Sequence, residues 1–244
     1  MERRFTHIFF DLHNTLVDGR AMHPCYSRVY GELMAERYGL TPDIWTQANR
    51  RIVADWDSYY ADLDLGGEDG IAHMWEGLFR TTRAMFRIVG VPEPSREELT
   101  ALAREVPGYA TSRCDAFYPD AKNVIRCLAD AGYVLGLVTH AIEVQARGTL
   151  QGGDMLAHFR GPIVSPDRTD RFNKDETFFA LAARFASTDP SRCLVVDDST
   201  YAIRGAKRAG MHTIHICRFG APQHTPAHLL LKGTLKGLLP YLGI

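Results

Sequence analysis

Apolar positions along this chain recur at two different periods, and the change of period divides it. Phe5 to Phe10 is a short apolar and aromatic run, too brief for a helix, and it predicts a buried strand. From about Tyr26 to Tyr38, and again from Ala48 to Leu63, apolar and aromatic residues recur at helical spacing with charges between them. The glycines and acids of Asp64 to Gly70 mark a loop. A further helical pattern runs from about Ile71 to Val89 and is stopped by Gly90 and Pro92. The next starts behind Ser95 with Glu98 three residues on, a capping-box arrangement. Residues of roughly 19 to 116 therefore read as an all-helical block.

Beyond it the pattern alternates. Pro119 to Ala131 predicts a helix ended by Gly132, and Tyr133 to Val138 a buried strand ending at Thr139. Lys174 precedes a helical run with Phe178, Leu181, Ala182 and Phe185 on one face. Cys193 to Val196 is a strand that runs into Asp197-Asp198-Ser199. A helix through Ala209 and a strand from Met211 to Ile216 complete the series. Such alternation predicts βαβ units and a parallel sheet covered on both faces.

Three of these strands end in chemistry. Asp11, Thr139 and the pair Asp197-Asp198 each follow an apolar strand directly, so a parallel sheet would gather them at the strand ends where ligands bind. Each alone has a plainer use: Asp11 opens a turn, Thr139 ends a strand, and Asp197-Asp198 caps a helix. Together they imply a cation, because carboxylates brought close raise one another's pKa. A divalent metal and Lys174 would supply it.

Charge and composition narrow the classes. The 28 basic and 29 acidic residues leave a net charge of −1, so no overall field favours nucleic acid or an anionic membrane. With 244 residues and 45% hydrophobic content the chain can bury a sizeable core. Its five cysteines are scattered, odd in number and never arranged as C-x-x-C, which predicts reduced thiols and a cytoplasmic protein. No targeting segment is apparent, and no apolar stretch approaches membrane-spanning length. Arg80, Arg83 and Arg87 share a helix face and read as solvated. His212 and His215, at odd spacing in a strand, point to opposite faces and share no metal.

These residues resemble the motifs of the haloacid dehalogenase superfamily, most of whose members are phosphatases. Asp11-Leu-His-Asn-Thr15 looks like the first motif, Leu137-Val-Thr139 the second, Lys174 the third, and Val195 to Met211 the fourth with its helix. The resemblance implies an α/β fold: a doubly wound, Rossmann-like parallel core of residues 1–18 and 117–244, with an all-helical cap, residues 19–116, inserted after the first strand. It also implies an aspartyl-phosphate on Asp11. Mg²⁺ would be held by Asp11, the His13 carbonyl and Asp198, with Asp197 orienting Lys174 or reaching the metal through water. Thr15, Thr139 and Lys174 would bind the phosphoryl oxygens, with Asn14 and His140 beside them. The expected substrate is a small phosphate ester, and the expected assembly a monomer or homodimer.

The chain departs from the family pattern at several places. His13 stands where the phosphatases carry a second Asp, Asn14 at the usual Gly, His140 at a common Asn, and Ala202 at a common Asp or Asn. An unperturbed histidine can donate and accept protons around neutrality, so His13 is expected to serve as general acid in place of the Asp. The alternatives are a metal-independent haloacid-type dehalogenase, which lacks the acidic pair, and a weak member that binds a ligand or partner. A phosphonate-cleaving enzyme needs a cap lysine for its Schiff base, and residues 19–116 contain none.

Overall fold

The chain begins with β1 (His7–Phe10), followed by four helices, α1 (Gly19–Tyr38), α2 (Pro42–Ala54), α3 (Gly70–Val89) and α4 (Arg96–Thr111). Next come α5 (Pro119–Asp130), β2 (Val134–Val138), α6 (Glu143–Gly152), β3 (Ile163–Val164), α7 (Pro166–Thr169) and α8 (Glu176–Phe185). The chain closes with β4 (Cys193–Asp197), α9 (Thr200–Arg208), β5 (His212–Cys217), β6 (Leu229–Lys232) and α10 (Leu238–Tyr241). This computed structural model describes residues 4–220 and 224–244. They divide into two units. One comprises Met1–Gly19, Ala116–Glu143 and Gly153–Ile244; the other Arg20–Asp115 and Val144–Gly152.

In the first unit the strands form one parallel sheet of order β3-β2-β1-β4-β5-β6. It is the α/β, Rossmann-like arrangement expected from the alternating pattern. The chain runs outward from β1 through β2 to β3, then returns to lay β4 on the other side of β1. The carboxyl ends of β1 and β4 therefore flank the point where strand order reverses, the usual position of a crevice in such sheets. Ile8, Phe9 and Phe10 are all at most 1% exposed, which is why β1 reads as an unbroken apolar run and not an alternating one. Gly136 in β2 makes room for that run: a Cβ there would lie 2.8 Å from the Phe9 ring. Phe9, Val195, Phe178, Phe179, Ala182, Ala202 and Ala206 share one core cluster, so α8 and α9 are held to the sheet by burial of small and aromatic groups.

The second unit is helical. Trp45 is fully buried, edge-on to Phe86 with ring centroids 5.3 Å apart, and its indole N–H donates to the Gly39 carbonyl at 2.8 Å. The aromatics are not all core, however. Trp56 is 40% exposed and stacks on Tyr60, and Trp75 lies beneath the Arg104 guanidinium. The helix expected through Leu63 ends at Ala54, because the Ser58 hydroxyl bonds the Asp55 carbonyl and carboxylate and turns the chain into a short 3-10 segment. At the start of α4 the Ser95 hydroxyl accepts the Glu98 N–H at 3.2 Å. The Glu98 carboxylate does not complete the box but accepts the Tyr38 hydroxyl. The Arg80, Arg83 and Arg87 face is neutralised by Asp62, Glu76 and Glu93.

A further expectation, that of reduced thiols, is corrected here. Cys25 and Cys114 form a disulfide within the helical unit, with Cα atoms 5.8 Å apart, while Cys127, Cys193 and Cys217 are free thiols. Helical periodicity carried no sign that residues 89 positions apart would meet. Residues 144–152, within the range assigned to the α/β core, cluster with the helical unit. There Gly148 lets α6 approach α4, since a Cβ would fall 2.4 Å from the Gly108 carbonyl oxygen.

Candidate active site

The register places Phe10 beside both Leu137 and Val196, so Asp11 leaves β1 level with the ends of β2 and β4. Its N–H is held by the Val196 carbonyl at 2.9 Å. Thr139 follows β2 directly, Asp197 is the last residue of β4, and Asp198 comes next. The sheet thus brings together the three strand ends that the sequence singled out.

Lys174 comes from the other direction. Asp175 caps α8 by accepting the Phe178 N–H at 3.0 Å, which places Lys174 immediately ahead of the helix. Its side chain is 2% exposed, and its Nζ donates to Asp11 Oδ1 at 2.5 Å and to Asp197 Oδ2 at 2.9 Å. Burial alone would lower the lysine pKa; the Asp11 and Asp197 carboxylates overturn that and hold it above its ordinary value. Gly205 of α9 permits the approach, because a Cβ there would lie 2.4 Å from the Lys174 carbonyl oxygen.

Asp11, Asp197 and Asp198 each offer a carboxylate oxygen within 4.8 Å of the others. One lysine does not balance three acids. Burial first and the Asp11 charge second push Asp198 up to about 6, and burial likewise drives Asp197 upward against the pull of Lys174. All-oxygen donors with unrelieved negative charge suit a hard divalent cation. Asp197 has both oxygens engaged, Oδ2 by Lys174 and Oδ1 by the Ser199 N–H at 2.8 Å, so its contacts are those of a group that orients the lysine.

The turn from Asp11 to Leu16 carries the remaining candidates. Asn14 takes a left-handed conformation at φ 57°, which glycine adopts freely and asparagine tolerates best among other residues. That conformation explains why Asn can stand at the family's glycine. Its side chain bonds to Asp198 and moderates the upward shift there. Thr15 is fully buried, and its hydroxyl has no hydrogen-bond partner, a buried polar group waiting for an acceptor or donor. The Thr139 hydroxyl accepts the Ala141 N–H at 3.1 Å, which leaves its proton free to donate. His13 is half-buried and pairs through its backbone with Val17. His140 is exposed and stacks on Phe172; its pKa is lowered by burial of the ring face and by Lys174, and it feels the charge of His13.

Sequence reasoning missed the residues that hold these loops. His215, level with Asp197 on β5, donates from Nε2 to the Asp198 carbonyl at 2.9 Å while its Nδ1 accepts from Thr225. Arg218, just past β5, donates from Nε and Nη2 to the Thr15 carbonyl and from Nη1 to Asp120 at 2.9 Å. Its guanidinium lies 4.0 Å from the centre of the Tyr118 ring. A cation ending an apolar strand was the available signal. His212, by contrast, bonds Tyr241 and stacks on His228 away from His215's partners. Ala202 is 0% exposed in the α8–α9 core.

Comparison with known proteins agrees with this arrangement. A curated phosphoglycolate phosphatase of Pseudomonas putida KT2440 is 26% identical over 144 residues, 57% of this chain and 53% of that protein, so the match spans about half the relative's length. The structure of a HAD phosphatase from Thermococcus onnurineus superposes with a TM-score of 0.61 at 21% identity, covering 98% of both chains. An L-2-haloacid dehalogenase from Xanthobacter autotrophicus with chloropropionic acid covalently bound gives 0.58 at 18% identity, again over 98% of each. Those two likenesses establish the fold alone. The sequence family described as haloacid dehalogenase-like hydrolase matches residues 5–210, and this chain belongs to it: it is a haloacid dehalogenase-like hydrolase.

Proposed function

We propose that the chain is a Mg²⁺-dependent phosphoric monoester hydrolase acting on a small phosphorylated metabolite through an aspartyl-phosphate on Asp11. The observation that carries this reading is the trio Asp11, Asp197 and Asp198 around a buried Lys174. Halide displacement by a carboxylate has no use for two more acids, whereas a dianionic phosphoryl group needs added positive charge to approach Asp11 at all. The partial match to a phosphoglycolate phosphatase supports the same side.

Lys174 holds Asp11 Oδ1, which leaves Oδ2 for attack on phosphorus. The new P–O bond forms as the ester P–O bond breaks, and the departing oxygen takes a proton from the His13 imidazolium. Lys174 and the Thr15 and Thr139 hydroxyls bind the equatorial oxygens as their charge shifts. In the second half His13, now neutral, accepts a proton from the water that hydrolyses the acyl phosphate and regenerates Asp11. Bound Mg²⁺, held by Asp11, Asp198 and the His13 carbonyl, would neutralise charge between carboxylate and phosphoryl oxygens. The cytoplasm is the proposed compartment on the strength of the free thiols Cys127, Cys193 and Cys217, the Cys25–Cys114 bond standing against it.

The test is a panel of phosphate esters and haloacids assayed with Mg²⁺ and with excess chelator, for wild type and Asp11→Asn. Phosphate release that needs both Mg²⁺ and Asp11 is the expected result. Halide release without metal would make the chain a dehalogenase, and no turnover of either class would favour a ligand-binding role.

A further inference from the structure

Cys25 lies early in α1 and Cys114 just after α4, so their disulfide joins the two ends of the helical block Arg20–Asp115. The two sulfurs differ sharply in access. Cys114 is 0% exposed, whereas Cys25 is partly exposed and lines an open cleft of about 480 Å³. That volume falls in the range of small-molecule sites, about 300–1,000 Å³. The rest of the cleft is charged in both senses: Arg28 and Arg50 on one side of the account, Glu32 and Asp43 on the other. Arg28 Nη2 stands 3.8 Å from the Cys25 sulfur, and its ion pair with Glu32 is half-exposed, so a ligand carboxylate can take over the guanidinium at little cost.

We propose that Cys25 is a thiol-modification site, opened by a low-molecular-weight thiol bearing both carboxylate and ammonium groups, the chemistry of glutathione, seated in this cleft. The ligand thiolate attacks Cys25 Sγ because Cys114 is closed to it. A ligand–Cys25 disulfide forms, the Cys25–Cys114 bond breaks, and Cys114 leaves as a thiolate that takes a proton from water. A second ligand thiol attacks the ligand sulfur of the mixed disulfide. It releases the oxidised dimer and leaves Cys25 as a thiolate that the nearby Arg28 charge favours. Two thiols are oxidised and one disulfide is reduced, with two protons passing to the cysteines. The helical unit thereby loses the covalent tie between its ends and regains it when the steps run backward.

The protein, purified without reductant, is treated with reduced glutathione or with 2-mercaptoethanol, and adducts are mapped by mass spectrometry after acid quench. The expected adduct is on Cys25. Arg50→Gln should slow the glutathione reaction about two- to fivefold, the range spanned by an exposed ion pair, and leave the uncharged thiol unaffected. Cys114→Ser frees Cys25 and should take one glutathione from its oxidised dimer. An adduct on Cys114, equal slowing of both thiols by Arg50→Gln, no adduct on the Cys114→Ser protein, or alkylation of Cys25 in the untreated protein would each overturn the proposal.

Discussion

Arg218 holds Thr15 by its backbone: Nε and Nη2 donate to the Thr15 carbonyl at 3.2 and 2.7 Å, across 203 residues of sequence. The guanidinium is itself locked by two 2.9 Å contacts to Asp120. The loop that carries Asp11, the proposed nucleophile, is therefore fixed from the end of β5, the strand that also holds the Asp198 carbonyl through His215. Arg218→Lys keeps the charge and loses the fork, since an ammonium cannot serve the carbonyl and the carboxylate in the same plane. We expect kcat to fall by roughly 10²-fold with KM little changed, the effect of a misplaced reacting group. A matched rise in KM at constant kcat would show that Arg218 serves binding only.

Asp120 makes the same network sensitive to acid. Burial would raise its pKa, but the Leu235 N–H, Arg218 and the Thr234 hydroxyl together hold it below the ordinary value of 3.8. A carboxyl depressed in the folded state contributes stability that is present above the unfolded value and lost as pH falls through the folded one. Denaturant titrations should show wild type losing stability below about pH 4. Asp120→Asn, already weakened by about 3–5 kcal/mol at neutral pH because it removes the counter-charge of a buried guanidinium, should lose less on further acidification. Parallel pH curves for the two proteins would contradict this.

Gly205 gives a test of how Lys174 is placed. A Cβ at 2.4 Å from the Lys174 carbonyl oxygen cannot be accommodated without moving α8 or α9. Gly205→Ala should cost about 1–3 kcal/mol, as overpacking does. It should also lower kcat beyond the loss of folded protein, because the displaced backbone carries Nζ away from Asp11. Calorimetry with active-site titration separates the two; full specific activity per folded molecule would unlink Gly205 from the lysine.

His13 as the acid makes a claim about leaving groups. His13→Ala should reduce turnover of an alkyl phosphate by roughly 10²–10⁴-fold, yet hardly affect an ester whose leaving group departs without a proton. Comparable small losses on both substrates would assign His13 to the loop's structure alone.

The strand ends were legible because the apolar runs of β1, β2 and β4 give way abruptly to Asp11, Thr139 and Asp197, a pattern that needs no tertiary information. The loop at Asp11–Leu16 was legible as a motif, with Asn14 at the usual glycine, but its left-handed conformation at Asn14 is known only from the structure. What the sequence hid is of a different kind. β3 has only two residues, too short for periodicity to register. The Cys25–Cys114 bond and the Arg218–Thr15 tie depend on where distant segments meet. Local pattern shows that Arg218 ends a strand, but not that Asp120 waits at the start of α5.

The departures from the family pattern also differ in how readily evolution could undo them. His13 is half-buried on a turn, and a change to Asp there replaces one acid or base with another without disturbing packing. Ala202 has no such freedom. It sits among Phe178, Phe179, Ala182 and Val195 with no exposed surface, so an Asp introduced alone would bury an unpaired charge at a cost of several kcal/mol. Restoring an acid at 202 would therefore need compensating changes on α8 and α9.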